Sequence, residues 1–460
     1  MISFTFLCYV FFCFISILFG GIFFKDQTKS IFLFLFFGLV LPTSHQFSFV
    51  ISYQGVYFYD YYFLLLASYY FIHIKIKDIK NIIKKNRLIV LLIIPLFSYY
   101  TYLILINSIS FDKYLLRDFR PFLLLLYGLI FIELLKKIKI ELKSVINILF
   151  YVLIFKLLFY VIVFLINPFE DPYYQAQLFR YRDGITFVAA LFLIIFLFKK
   201  QDMLVKIPKF RMNIIVLLSI LVLLISNLRI LLPALLFIYF IVHKTTLNNL
   251  IKKLMISIIF ISSFIGYTYL MPLIQYNLHT KAETVLVIKN LEEKKVKKHR
   301  IDTQKSKLNK GYTAKRYNLL FQNLNKQFNS RFSPALNHIK EMNFIEFIVG
   351  KGFATTFEIE YFKYRGLDTK NNSVDSAYLT FFVKYGLVGL ALIVILFLRL
   401  ILVNIKLKEL KVSLIFFFLT VFLTASVLYH PGTILYLIFI NLFMHSLLHE
   451  DTSHSLHLTS

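Results

Sequence analysis

The tetrapeptide Ser226-Asn227-Leu228-Arg229 places a guanidinium between two apolar runs with almost no connecting chain. Arginine is costly at or below a membrane surface, and its planar fork suits bidentate binding of phosphate or carboxylate. The plain alternative is an arginine snorkelling to lipid headgroups. Arg180 and Arg182, in Phe179-Arg180-Tyr181-Arg182-Asp183-Gly184, form a pair just ahead of another apolar run, and Arg331 is a fourth candidate. Guanidinia converging from these positions on one cavity would hold a polyanion such as a lipid-linked diphosphate. Asp375 opens an apolar run, where a carboxylate either caps a helix or takes a proton from a sugar hydroxyl. His338 and His430 read as surface or turn residues. Inside the apolar runs the ionisable positions are Asp60, Glu133, Lys156 and Lys384. Asp60 and Glu133 sit near run ends, which predicts interfacial placement, whereas Lys156 is nearer mid-run and is expected to face a bundle interior. Arg117 and Arg120 flank Asp118, and pairing among these neighbours is the simple expectation. No P-loop, GxGxxG, HExxH or DxD pattern is present, and Cys8 and Cys13 share the first apolar run. No nucleotide, metal or other cofactor is therefore expected.

The elements that position these residues are apolar. Hydrophobic residues make up 59% of the 460, and the mean hydropathy is +0.73. Only 16% are charged, against about 25% in soluble domains. Apolar runs fall at 2–24, 30–42, 57–74, 88–107, 119–135, 144–166, 184–198, 212–226, 229–242, 254–275, 376–403, 412–429 and 432–449. They predict an all-α, polytopic integral membrane protein of twelve to thirteen transmembrane helices. The runs are continuous, not alternating, which excludes a β-barrel. The first lacks a basic leading region and a small-residue cleavage site, so it reads as a first helix.

The net charge of +27 invites a nucleic-acid reading, but the basic residues cluster between apolar runs. That is the positive-inside pattern of a chain in a lipid bilayer. Alternate short connections hold 24 Lys and Arg against six in the others, which puts the basic loops and the C-terminus in the cytoplasm. One connection differs in kind. Residues 276–375 form a large extracytoplasmic loop, between N-terminal helices in 1–275 and C-terminal helices in 376–460. Its Lys-rich part, 281–329, reads as a mobile or solvated insert. Ser333-Pro334 predicts a helix start, with Ala335, Leu336, Ile339 and Met342 on one face. Gly350-Lys351-Gly352-Phe353 reads as a turn.

In order and spacing these stretches resemble the O-antigen polymerase and O-antigen ligase (Wzy/WaaL-like) family of bacterial membrane glycosyltransferases. Ser226-Asn227-Leu228-Arg229 is similar to that family's short outer-face motif ending in Arg, and Ser330-Arg331 to the Arg that opens the later part of its large loop. Gly350-Lys351-Gly352-Phe353 resembles its Gly-x-Gly-Phe turn. Asp375-Ser376-Ala377-Tyr378-Leu379 and Tyr385-Gly386-Leu387-Val388-Gly389-Leu390 resemble its closing pattern. The resemblance implies transfer of a glycan from a polyprenyl-diphosphate-linked oligosaccharide to a sugar hydroxyl, outside the bacterial cytoplasmic membrane. Arg229 and Arg331 would hold the departing diphosphate. Arg180, Arg182, Tyr378, Gly350 and Gly352 would line the substrate. Asp375 stands where ligases carry a His proposed as base, which favours a repeat-unit polymerase over a ligase acting on lipid A core. A chain-length regulator and a flippase of the same pathway are the implied partners. The Lys-rich insert is not part of the family's pattern.

Other classes fit less well. Transporters commonly show two related halves with interrupted helices, and no such pairing is visible. Glycosyltransferases using a polyprenyl monophosphate sugar would carry acids in the first outer loop, but Thr43 to Val56 contains none.

Overall fold

Long uncharged runs satisfy their backbone polar groups internally by coiling, and the computed structural model of the chain is mostly helical. It describes residues 4–41, 52–53, 56–74, 84, 87–106, 113–136, 138, 140–166, 184–198, 208–226, 231–242, parts of 251–266, 324–359, 369–402, 405, 408–424, 435 and 437–446. The helices of the first half are α1 (Phe4–Phe23), α2 (Gln27–Val40), α3 (Phe58–His73), α4 (Arg87–Leu105), α5 (Lys113–Leu135), α6 (Leu142–Ile166), α7 (Gly184–Phe198), α8 (Lys209–Ser226) and α9 (Leu231–Val242). The second half adds α10 (Leu324–Lys340), α11 (Phe344–Val349), α12 (Ala377–Leu402), α13 (Lys408–Thr424) and α14 (Leu437–Ser446). Two short antiparallel pairs complete the described elements. β1 (Ser52–Tyr53) pairs with β2 (Val56–Tyr57), and β3 (Phe357–Glu358) pairs with β4 (Lys370–Asn371).

Among the described residues three helical stretches are long and apolar enough to cross a membrane: Phe6–Phe23, Leu142–Ile162 and Ala377–Leu400. The first shows how such a helix is divided. Tyr9, Cys13, Ser16 and Phe19 are buried, while Leu7, Phe11, Phe14 and Leu18 are exposed at helical spacing. Both faces are apolar, which suits a helix packed on one side and wetted by hydrocarbon on the other.

The packing centres on α12, against which α4, α5, α10, α11 and α13 all lie. On another side α1 packs on α2 and α3, and α2 on α6. Lys156 of α6 is fully buried and donates to the carbonyls of Val40 and Leu41, each at 3.1 Å. These belong to the C-terminal end of α2, where helical carbonyls lose their internal partners. The mid-run lysine thus faces inward as expected, and it closes a helix end there.

Two local expectations are corrected. Asp60, in the first turn of α3 and so at the run end where the sequence put it, is buried, accepts from the Tyr57 amide at 2.8 Å and pairs with Arg120 at 2.7 Å. Arg120 therefore does not pair with its neighbour Asp118, whose partner is Lys384 of α12. The helix expected to start at Ser333-Pro334 starts at Leu324 instead, with Pro334 inside it. In the sequence Leu324, Phe328 and Phe332 already recur at helical spacing ahead of the Ser-Pro pair, and a proline within a helix removes one backbone hydrogen bond. Glu133 does lie at an exposed helix end, paired with Lys136 at 2.5 Å.

Candidate functional site

Helix α12 breaks at Gly386, which has φ +63° and ψ −167°. A break leaves carbonyls one turn earlier without their usual amides, and the turn after α11 supplies replacements. The Lys351 amide donates to the Val383 carbonyl at 2.8 Å, and the Gly352 amide to the Lys384 carbonyl at 3.0 Å. The Tyr100 hydroxyl, fully buried on α4, lies 2.9 Å from the Lys384 carbonyl and 2.7 Å from that of Val349. Gly350 and Gly352 both have positive φ, +86° and +104°. A Cβ on Gly350 would lie 2.1 Å from the Lys384 carbonyl oxygen, and one on Gly386 would lie 2.3 Å from that of Ile348. Glycine at both positions is what lets the two backbones touch.

Phe353 then fills the corner. Its ring is buried, stacked on Phe119 at 4.5 Å and packed against Tyr100 at 4.3 Å and Tyr385 at 5.4 Å. Beneath it the Asp118 carboxylate collects donors from three segments. Lys384 Nζ reaches Oδ1 at 2.5 Å, Asn372 Nδ2 reaches the same oxygen at 3.0 Å, and the Ala354 amide reaches Oδ2 at 2.8 Å. Both Asp118 and Lys384 have fully buried side chains. The Tyr385 hydroxyl adds a bond to the Asp118 carbonyl at 2.8 Å. One carboxylate on α5 thereby fixes α12, the turn after α11 and the approach to α12.

That approach carries Asp375. Sequence spacing allowed it to be the helix cap, but the cap is Ser376, whose Oγ accepts from the Leu379 amide at 3.4 Å. Its carbonyl also accepts from the Thr380 amide at 3.1 Å. Asp375 is exposed one residue earlier, three residues beyond the anchored Asn372. Of the other candidates, Tyr378 is half-buried and donates to the Leu419 carbonyl at 3.0 Å, bracing α12 on α13. Gly350 and Gly352 join the loop to α12 as described. Arg331 lies on α10, two helical turns before His338, while Arg180, Arg182, Arg229 and His430 lie outside the described residues.

His338, expected to be an ordinary surface residue, is half-buried. Its Nε2 lies 3.1 Å from the Thr356 carbonyl, which can only accept, so Nε2 carries the proton. Nδ1 then accepts from Lys351 Nζ at 3.3 Å, and Lys351 pairs with Glu341 at 3.1 Å. Burial, reinforced by the Lys351 ammonium, holds this imidazole below its ordinary pKa. With both nitrogens engaged, His338 braces the loop.

Residues 307–451 match the profile of a family of unknown function, DUF6369. The matched stretch takes in Arg331, the 350–353 turn, Asp375 and the whole of α12 and α13. Asp118 and Arg229 lie outside it. No curated protein and no solved structure matches the chain.

Sequence reasoning missed the Asp118–Lys384–Asn372 network and the role of Tyr100. Its one available signal was the rule that charges among apolar residues must be compensated, which marks Asp118 and Lys384 without linking them.

Proposed function

We propose that the chain is a polytopic protein of the bacterial cytoplasmic membrane that polymerises polysaccharide repeat units on its outer face. The donor is a polyprenyl-diphosphate-linked oligosaccharide, and the acceptor is a sugar hydroxyl of another lipid-linked repeat unit. The acceptor oxygen forms a new bond to the anomeric carbon as the bond from that carbon to the diphosphate breaks. The diphosphate departs with the electron pair, and charge builds on it. Arg229 and Arg331, joined by Arg180 and Arg182 from a separate outer connection, supply fixed positive charge where it develops. The acceptor proton passes to Asp375 or to the departing diphosphate, with Asp375 orienting the hydroxyl.

The observation that carries this reading is the exposed Asp375 beside a cap made by Ser376. An exposed carboxylate on a segment pinned three residues away by Asn372 and Asp118 suits a group that meets an acceptor. The docking of the Gly-x-Gly-Phe turn onto the Tyr385-Gly386 break supports it further, because two stretches of the family resemblance meet around one ion pair.

The test uses a strain whose own gene is deleted and replaced by variants. Deletion should leave single repeat units on the cell surface, with their attachment intact. Asp375→Ala and Arg331→Ala should reproduce that phenotype, and Arg331→Lys should restore little, since lysine lacks the bidentate fork. Normal chain lengths with all three variants would remove the assignment. Loss of all surface glycan on deletion, single units included, would favour the ligase.

A further inference from the structure

Helix α11, Phe344-Ile345-Glu346-Phe347-Ile348-Val349, is short and oddly dressed. Phe344 is 78% exposed, Ile345 62% and Phe347 45%. Its one ionisable side chain is used internally, because Glu346 accepts from the Asn343 amide at 3.0 Å while Asn343 Oδ1 accepts from the Glu346 amide at 2.9 Å. The outward face therefore offers large apolar groups, and the element's one ionisable side chain is already paired.

Its position says what covers that face. The C-terminal end of α11 rests on the Gly386 break of α12, within a stretch long and apolar enough to cross a membrane. Leu387, the next residue of α12, is itself exposed. On the neighbouring side Tyr100 ties α4 to the Val349 carbonyl, and the end of α4 beyond it exposes Tyr102, Leu105 and Ile106. The apolar face of α11 thus continues the outward faces of two adjoining helices, with tyrosine at its margin, a side chain favoured at lipid–water boundaries.

We propose that α11 is a membrane foot: it lies along the outer lipid boundary with Phe344, Ile345 and Phe347 among phospholipid acyl chains. The inference rests on the membrane reading of the chain. It means that the start of α12, with Asp375, is held at a fixed depth relative to the lipid surface. An apolar face of this kind buries into the headgroup–acyl boundary, which is where the diphosphate of a polyprenyl-linked substrate resides.

The chain contains no tryptophan, so one introduced indole reports its own surroundings. Phe344→Trp, Lys340→Trp and Phe11→Trp would be made singly in the full chain and reconstituted in phosphatidylcholine vesicles with or without lipids brominated on the acyl chain. Phe344→Trp should emit to the blue and be quenched about two-fold by bromines near the glycerol end, as expected for interfacial depth. Lys340→Trp, at an exposed position at the end of α10, should emit to the red and resist quenching. Phe11→Trp, on the exposed face of α1, is the control for the membrane reading and should be quenched by deep bromines. Quenching at Phe11→Trp without quenching at Phe344→Trp would overturn the foot alone. No quenching at either would overturn the membrane reading beneath it. A blue shift at Phe344→Trp that bromines leave untouched, and that fades on dilution of the protein, would assign the face to a second copy and also overturn the proposal.

Discussion

Asp118 and Lys384 show how much one side chain can organise here. Both are fully buried, and together they tie α5 to α12, with Asn372 and the Ala354 amide drawn in. Removing one partner of a buried pair strands the other charge and costs about 3–5 kcal/mol. Asp118→Ala should therefore lower thermal stability sharply in detergent-solubilised protein, and Lys384→Met in the same background should recover part of the loss. Equal, additive losses would mean that the two do not act as a pair. The sequence marked Lys384 as an ionisable group inside an apolar run but pointed Asp118 at Arg117 and Arg120. Side chains one and two apart on a helix do not face each other, so the partner had to come from another helix. His338 gives a second residue-scale prediction. Burial lowers its pKa in the folded chain, so folding favours its neutral form. Its contribution is complete above about pH 6.5, the ordinary imidazole value, and is lost as pH falls below that. Thermal stability should decline below that pH, and His338→Gln should flatten the decline between pH 7 and 5; an unchanged slope would remove His338 as its source.

At the scale of elements, the decisive join is between the turn after α11 and the break in α12. Gly350→Ala and Gly386→Ala each place a Cβ within 2.3 Å of backbone oxygen at a positive φ. Left-handed strain alone costs on the order of 1–3 kcal/mol, and the clash adds to it. Each variant should melt earlier and expose the 344–353 segment to protease. Wild-type protease resistance in both would show that the join is not structural. The glycines were legible as punctuation, and so were the helices on either side. Their docking was not, because nothing local in Gly-Lys-Gly-Phe specifies a broken helix some thirty residues later. The cap of α12 was left open in the sequence: Asp375 and Ser376 are both good capping residues, and only the observed bond from the Leu379 amide chooses between them. The early start of α10 was hidden by a Ser-Pro pair that usually begins helices.

For the whole molecule, the apolar runs were read almost directly. Twelve of the thirteen coincide closely with helices α1–α9 and α12–α14, and residues of the remaining run at 254–275 are helical where described. Hydrophobic length and continuity carry that information without tertiary detail. Sidedness rests on the 24-to-six distribution of basic residues. Alkaline phosphatase fused within 281–329 should accordingly be active, and fusions after Lys84 or Lys206 inactive; the reverse pattern would place Asp375 and the arginines on the wrong face for the proposed chemistry. That chemistry has one direct measurement. Purified protein in proteoliposomes, given a polyprenyl-diphosphate-linked repeat unit and no nucleotide, should convert it into a ladder of lipid-linked oligomers, and the Asp375→Ala protein should not. Repeat units that stay single, or that cross the bilayer without growing, would contradict the polymerase.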